Sequence, residues 1–301
     1  MTNHVIETSV IGSYPSQIDT HKIMETYFFQ QPEDHWKVVI SASVDDMVRS
    51  GISIISDGQT RDPFIQLFTR RLKGCRIRAR TEIIGNIEYI DPITVSDQKF
   101  VRSIIPSNVK IKGVLTGPWT LTRSCVDLFY HDEQKVAFDF AQALSKEAKN
   151  LQEYVDVLSI DEPFFSQNMP SFASDLIELI TQDIQIPTVL HICGDVSKII
   201  DKIIELPVDI LSHEFKASPK LLSGFQQYSF PQQLCLGSVR SDDFRVEPVD
   251  EILGHIRGAY EVFGSKIVHV APDCGQRLLP RQVAFIKLKN LVKAGEVFNA
   301  G

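Results

Sequence analysis

The chain has 301 residues, long enough for one large α/β domain or two smaller ones, and its 43% hydrophobic and 23% charged residues exclude a disordered or fibrous protein. A formal charge of −7 with scattered Lys and Arg argues against a nucleic-acid partner, because grip on a phosphate backbone needs clustered basic residues. No apolar run approaches the roughly 20 residues of a membrane helix, and the opening MTNHVIETSVIGSYP has neither a basic nor an apolar signal region, so the expectation is a cytoplasmic protein with no membrane partner.

Taken in order, the chain repeats one unit: a short β-branched run, a polar or glycine-bearing turn, then a helical stretch. The runs are 5–11 (ending GSYP), 52–57 (ending GQ), 111–116 (ending GP), 155–161 (ending EP), 187–193 (ending GD), 208–214, 233–239 and 266–274 (ending GQ). Amphipathic segments such as 133–150 and 281–296 lie between them, their apolar positions spaced for one buried face. Eight strands alternating with helices over this length predict an α/β protein made of a single (β/α)8 barrel spanning 1–301. Two stretches break the repeat. Residues 17–50 hold two helical patterns, TYFFQ and VVISASVDDMVRSG, and 75–105 contains TEIIGNIEYI, whose Gly-Asn between alternating runs predicts a β-hairpin inserted after the second strand.

Barrels of this kind place their active sites at the C-terminal strand ends. The residues found there are Ser13, Asp57, Gln59, Asp161, Glu162, His191, Cys193, His213, Glu214, Asp273 and Cys274. His191 and Cys193 stand two apart on a strand and so share a face, and imidazole and thiolate are the commonest zinc donors. A buried cysteine beside a satisfied histidine would explain that pair alone. Cys274, closing the last strand, supplies a third soft ligand from across the barrel. A fourth can come from 212–214, where His213 and Glu214 face opposite ways and the sequence leaves open which is inward. A carboxylate there would be a weak ligand that yields its place to a substrate sulfur. Asp161 is suited to a substrate ammonium and the 11–13 segment to a carboxylate, with helix capping the plainer explanation for the acidic pair at 161–162. Asp57, Gln59 and Arg61 are weaker substrate candidates. Cys75, Cys125 and Cys235, and His4, His21, His35, His131, His255 and His269, have no paired donor and read as core or incidental.

Together the segments Ile11-Gly12-Ser13-Tyr14-Pro15, Gly117-Pro118-Trp119-Thr120, Ile160-Asp161-Glu162-Pro163, His191-Ile192-Cys193 and Pro272-Asp273-Cys274-Gly275 resemble, over nearly the whole chain, the catalytic domain of cobalamin-independent methionine synthase. The resemblance implies a zinc-dependent methyltransferase that converts L-homocysteine to L-methionine. It implies zinc ligands His191, Cys193, Glu214 and Cys274, with Glu214 following Cys193 by 21 residues and displaceable by substrate. It also implies homocysteine contacts at Ile11, Ser13 and Asp161, with Glu214 and Asp161 the catalytic pair. Two positions depart from the long members of the family: Gln59 replaces an acid, and Asp242 stands where a proton-transferring histidine occurs. With only one barrel, the chain is similar to the short enzymes of archaea and some bacteria, which implies methylcobalamin or a corrinoid protein, rather than a folate, as methyl donor. The alternatives are a uroporphyrinogen-decarboxylase-like methylcobamide:coenzyme M methyltransferase, or a non-catalytic thiol or corrinoid binding module. IGSYP and IDEP speak against coenzyme M, which has no amine to bind.

Overall fold

The computed structural model describes residues 5–16 and 35–301. Parallel strands β1 (Glu7–Thr8), β2 (Ile54–Ile55), β5 (Lys110–Thr116), β7 (Val157–Asp161), β8 (Thr188–Ile192), β9 (Ile210–His213), β10 (Gln233–Val239) and β11 (Ile267–Pro272) form one sheet in the order β1-β11-β10-β9-β8-β7-β5-β2. A single parallel bridge, Ser9 to Ile54, joins its two ends and makes it a barrel. All eight runs expected from the sequence are therefore strands, although the first two are only two residues long.

Strand alternation sorts the side chains. Ile11, Ile54, Val157, Val189, Ile210, Cys235 and Ala271 fill the barrel interior. Their intervening neighbours, such as Leu158, Ile160, Leu190, Ile192 and Leu211, join the larger outer core. Covering helices include α1 (His35–Ser50), α5 (Glu133–Leu151), α6 (Ala173–Thr181), α9 (Val249–Phe263) and α10 (Arg281–Ala300). The others are α2 (Gln66–Thr69), α3 (Val95–Ile104), α4 (Pro118–Ser124), α7 (Ile200–Ile203) and α8 (Lys220–Phe225). Helix α5 begins where the Asp132 side chain accepts a hydrogen bond from the Lys135 N–H, and it buries Val136, Phe140 and Leu144 along one stripe. Of the two helical patterns in 17–50, VVISASVDDMVRSG lies on α1 and TYFFQ falls outside the described residues.

After β2 an antiparallel pair runs from β3 (Leu72–Ile77) to β4 (Thr81–Tyr89), with β6 (Val126–Asp127) on the far side of β4. The turn between β3 and β4 spans 78–80, where the Arg78 N–H donates to the Arg80 carbonyl, rather than the Gly85-Asn86 step singled out in the sequence. Gly85 and Asn86 lie inside β4 and face Gly74, whose φ is +83° and whose absent Cβ would stand 2.2 Å from the Asn86 oxygen. The glycines thus serve a bulge between Lys73 and Cys75, and the loop lies at three arginine- and alanine-bearing positions that carry no turn signature.

Candidate metal and substrate site

The parallel register aligns Thr116, Asp161, His191 and Ser212 across β5, β7, β8 and β9, at the C-terminal end of the barrel. Asp161, in phase with Val157 and Ser159, faces the interior and accepts a 2.9 Å hydrogen bond from Ser159 Oγ. Burial raises its carboxyl to about 6, against the opposing charges of His191 and Lys112. Lys112, also buried, sends its Nζ across the interior to the Val10 carbonyl at 2.6 Å. Glu162 points the other way. Its carboxylate accepts from the N–H groups of Trp119 and Thr120, at 2.8 and 2.9 Å, and from Thr120 Oγ1 at 2.6 Å, so it caps the first turn of α4. The two adjacent acids of 161–162 therefore divide, one toward the cavity and one to helix capping.

His191, Cys193 and Cys274 bring their ligand atoms within 4.8 Å of one another. A 3.1 Å hydrogen bond between His191 Nδ1 and Ser212 Oγ orients the ring, leaving Nε2 3.0 Å from Cys193 Sγ. Cys274 is held by Ser241, whose Oγ donates to the Cys274 carbonyl at 2.7 Å and accepts from its N–H at 3.1 Å. A hydrogen bond from Cys193, together with His191, pulls the Cys274 thiol well below its ordinary range. Burial pulls His191 down, but the Cys274 hydrogen bond and charge outweigh it and hold the imidazole above its usual value. One imidazole and two thiols at this separation match a zinc donor set, in which bonds of about 2.0–2.3 Å place ligand atoms about 3–4 Å apart.

Glu214 and His213 separate as strand alternation requires. Glu214 shares the inward phase of Ile210 and Ser212; its carboxyl is raised by burial and by the charge on Cys274, and lowered by the Gly194 N–H. It lies beside the three-ligand group without joining it. His213 packs outward against Phe215 and Phe225, with Nδ1 3.3 Å from the Ile192 carbonyl, and burial lowers its pKa to about 3. Asp273 accepts from the N–H groups of Lys216 and Ala217 at 3.0 and 2.8 Å and so anchors the segment that follows Glu214.

A cavity of about 380 Å³ opens over this group, with Ile11, Ser13, Gln59, Asp161 and Arg277 in its wall beside the three ligands. Gly275 lets the 274–277 loop close on Ser13, since a Cβ there would lie 2.2 Å from Ser13 Oγ. Gln59, with φ +46°, is buried beside Gly12. Asp57 is buried below it, accepting the Gln59 N–H at 2.8 Å, and Arg61 forms a two-point ion pair with Asp97, so neither belongs to the cavity wall. Arg277 was not singled out in the sequence, where an arginine three residues past a cysteine carries no spacing signal. A second cavity, of about 500 Å³, lies beyond Cys274 and is lined by Glu214, Asp242, Phe244 and Leu278 among others. Asp242 is exposed and paired to Arg240 at 2.8 and 2.7 Å, which keeps its carboxyl below the usual range. Cys75, Cys125 and Cys235 lie outside the group, all as free thiols.

A parallel barrel whose strand ends gather two thiols, an imidazole and a buried carboxylate around one cavity has the make-up of an enzyme active site with a set of metal donors. Residues 6–297 match the family described as the cobalamin-independent synthase catalytic domain, and the chain belongs to that family, which makes it a methyltransferase. It is 36% identical to a methionine synthase of Methanocaldococcus jannaschii, covering 95% of this chain and 97% of that one. It is 32% identical to a methionine synthase of Methanothermobacter marburgensis, over 97% and 99%. The fold matches that of a B12-independent methionine synthase from Shewanella sp. W3-18-1 with a TM-score of 0.82, at 23% identity and 97% coverage of both chains.

Membership of the cobalamin-independent family does not by itself support the methylcobalamin or corrinoid-protein donor expected from the sequence. Of the features behind that expectation, Asp242 is an exposed rim residue paired with Arg240. Family membership sets aside the coenzyme M and non-catalytic alternatives. Among the described residues no helix is long and apolar enough to cross a membrane.

Proposed function

We propose that this chain, as one catalytic domain over 1–301, transfers a methyl group to the thiol of L-homocysteine to give L-methionine, using zinc held by His191, Cys193 and Cys274. The observation that carries this reading is the convergence of those three ligands on a cavity whose wall also presents Ser13, Gln59 and Asp161. Zinc bound there would keep a substrate thiol in its nucleophilic thiolate form at neutral pH. Asp161 pairs with the substrate ammonium, its carboxylate oriented by Ser159. Ile11 and Ser13 bound the amino-acid end of the cavity, Gln59 replaces an acid with a neutral amide beside it, and Glu214, beside the three ligands, would be a weak and displaceable fourth ligand to the zinc. The second cavity, across Cys274, is the side from which the methyl donor approaches. The five free thiols suit a reducing, cytoplasmic setting.

Two measurements test this. Metal analysis should find about one zinc per chain, lost when Cys193→Ser and Cys274→Ser are combined. Purified enzyme given homocysteine and either a methyltetrahydrofolate or methylcobalamin should form methionine, and the productive donor is thereby identified. Zinc retained by the double variant would refute the ligand set, and no methionine from either donor would refute the reaction.

A further inference from the structure

Arg277 follows β11 on the loop that carries Cys274, and its side chain is half-buried in the wall of the substrate cavity. Among the described residues its guanidinium has one hydrogen-bond partner, the Gln59 carbonyl oxygen, and no carboxylate within ion-pair distance. Burial works against its charge, with Asp57 the acid that opposes this, yet a guanidinium stays protonated in any protein environment. The fold thus keeps a cation, most of its donors unused by the described protein, beside a group of thiols. Gln59 adds to this: its Nε2 is buried without a partner among the described residues, and the residue lines the same cavity while only 4% exposed. Unused N–H donors on a buried amide and on an arginine, at one end of a cavity, form a site for an anion.

The polarity of the cavity identifies that anion. In the closed order of strands β7 stands four places from β11, so Asp161 and the loop that carries Arg277 are anchored on opposite sides of the barrel, and the guanidinium reaches the turn after β2, two places from β7. One presents a carboxylate and the other a guanidinium. A ligand that satisfies both carries an ammonium and a carboxylate, the ends of a free α-amino acid. We propose that Arg277, with the Gln59 amide as second donor, binds the α-carboxylate of the thiol substrate and thereby selects amino-acid thiols over simple ones. The inference rests on the homocysteine reading above. Its rival is structural: Arg277 tying the 274–277 loop to the turn at Gln59 and touching no ligand.

Calorimetric titration of the zinc-loaded protein, with no methyl donor present, separates the two. The probes are homocysteine, 4-mercaptobutyrate (no ammonium) and 3-aminopropane-1-thiol (no carboxylate). Arg277→Met should weaken homocysteine and 4-mercaptobutyrate by about tenfold to a hundredfold, the loss expected for a charge-assisted hydrogen bond, and leave 3-aminopropane-1-thiol within about twofold. Asp161→Asn should do the converse, weakening homocysteine and 3-aminopropane-1-thiol and sparing 4-mercaptobutyrate. Should Arg277→Met fail to fold, Arg277→Lys carries the test: it keeps the charge, loses the fork, and should show a smaller loss confined to the two carboxylates. Equal weakening of all three thiols in the arginine variants, or no change in homocysteine, overturns the carboxylate role. Failure of the unaltered zinc protein to bind any of the three would instead overturn the homocysteine reading itself. Because no donor is in the cell, a carboxylate belonging to the donor cannot produce the expected pattern.

Discussion

Lys287 on α10 and Glu247 form an ion pair of 2.7 Å in which the side chains are 0% and 1% exposed. Lys287 Nζ also donates to the Arg245 carbonyl, and the other oxygen of Glu247 accepts the Arg240 N–H at 2.9 Å. Lys287→Met fits the space but leaves Glu247 as a buried charge with one backbone donor. Removing one partner of such a pair costs about 3–5 kcal/mol, because the remaining carboxylate loses its counter-charge without regaining water. For a chain of this size that is about 5–8 °C in melting temperature, or a fall in the urea midpoint at unchanged slope. The double variant Lys287→Met with Glu247→Gln should recover most of the loss, since an amide oxygen still accepts from Arg240 and no charge is stranded. The consequence reaches the site: the segment from Arg240 to Glu247 carries Ser241, whose hydroxyl positions Cys274. Zinc should therefore be easier to remove by chelator from the single variant than from the double. A single variant within about 1 kcal/mol of the parent, or a double no more stable than the single, would refute this account of the pair.

Glu214→Gln should keep most of the zinc, because three ligands remain, while changing the affinity for homocysteine; metal analysis showing complete loss would make Glu214 a structural ligand. His269, on β11, is buried with Nδ1 unpartnered among the described residues, and burial lowers its pKa from 6.5 to about 3. A histidine kept neutral in the fold supplies stability that is present above its unfolded pKa and lost as pH falls and the unfolded chain takes up the proton. Between pH 7 and pH 5 this amounts to about 2 kcal/mol. Urea unfolding of His269→Phe should show a loss over that interval smaller by this amount, and an identical pH dependence in the two proteins would disprove the neutral buried state.

The barrel was readable from the sequence because six of its eight runs end in a glycine- or proline-bearing turn, and the site because those ends gather whatever residues close the runs. His191, Cys193 and Cys274 needed no contact information beyond eight strands in order. What could not be read lies where local pattern and tertiary role diverge. Gly85-Asn86 has the composition of a hairpin turn, yet it lies within β4, opposite Gly74, where backbone crowding rather than chain reversal demands small residues. Glu162 sits beside Asp161 in sequence, but strand alternation turns it out to cap α4. Glu214 and His213 are equivalent in a linear reading, and only the phase of Ile210 and Ser212 in the barrel interior separates them. Arg277 belongs to a loop, and its place in the cavity follows from a hydrogen bond to a residue 218 positions away.

The barrel is not equally firm around its circumference. Between β5, β7, β8 and β9 the ladders run four or five residues, whereas β1 and β2 meet at one bridge, made by the Val10 N–H to the Ile54 carbonyl at 3.2 Å and supported by the Ser53 N–H to Thr8 Oγ1 at 3.1 Å. His191 and Cys193 rise from the firm side, and Ile11, Ser13 and Gln59 stand just past the seam. The amide hydrogen of Val10 should exchange through local opening well before those of Leu158 or Leu190. A substrate that touches both sides would act as a staple across the seam, so that part of its binding energy appears as slowed exchange at Val10 rather than as affinity. The enzyme would then be tightest as a barrel only while it holds the amino acid.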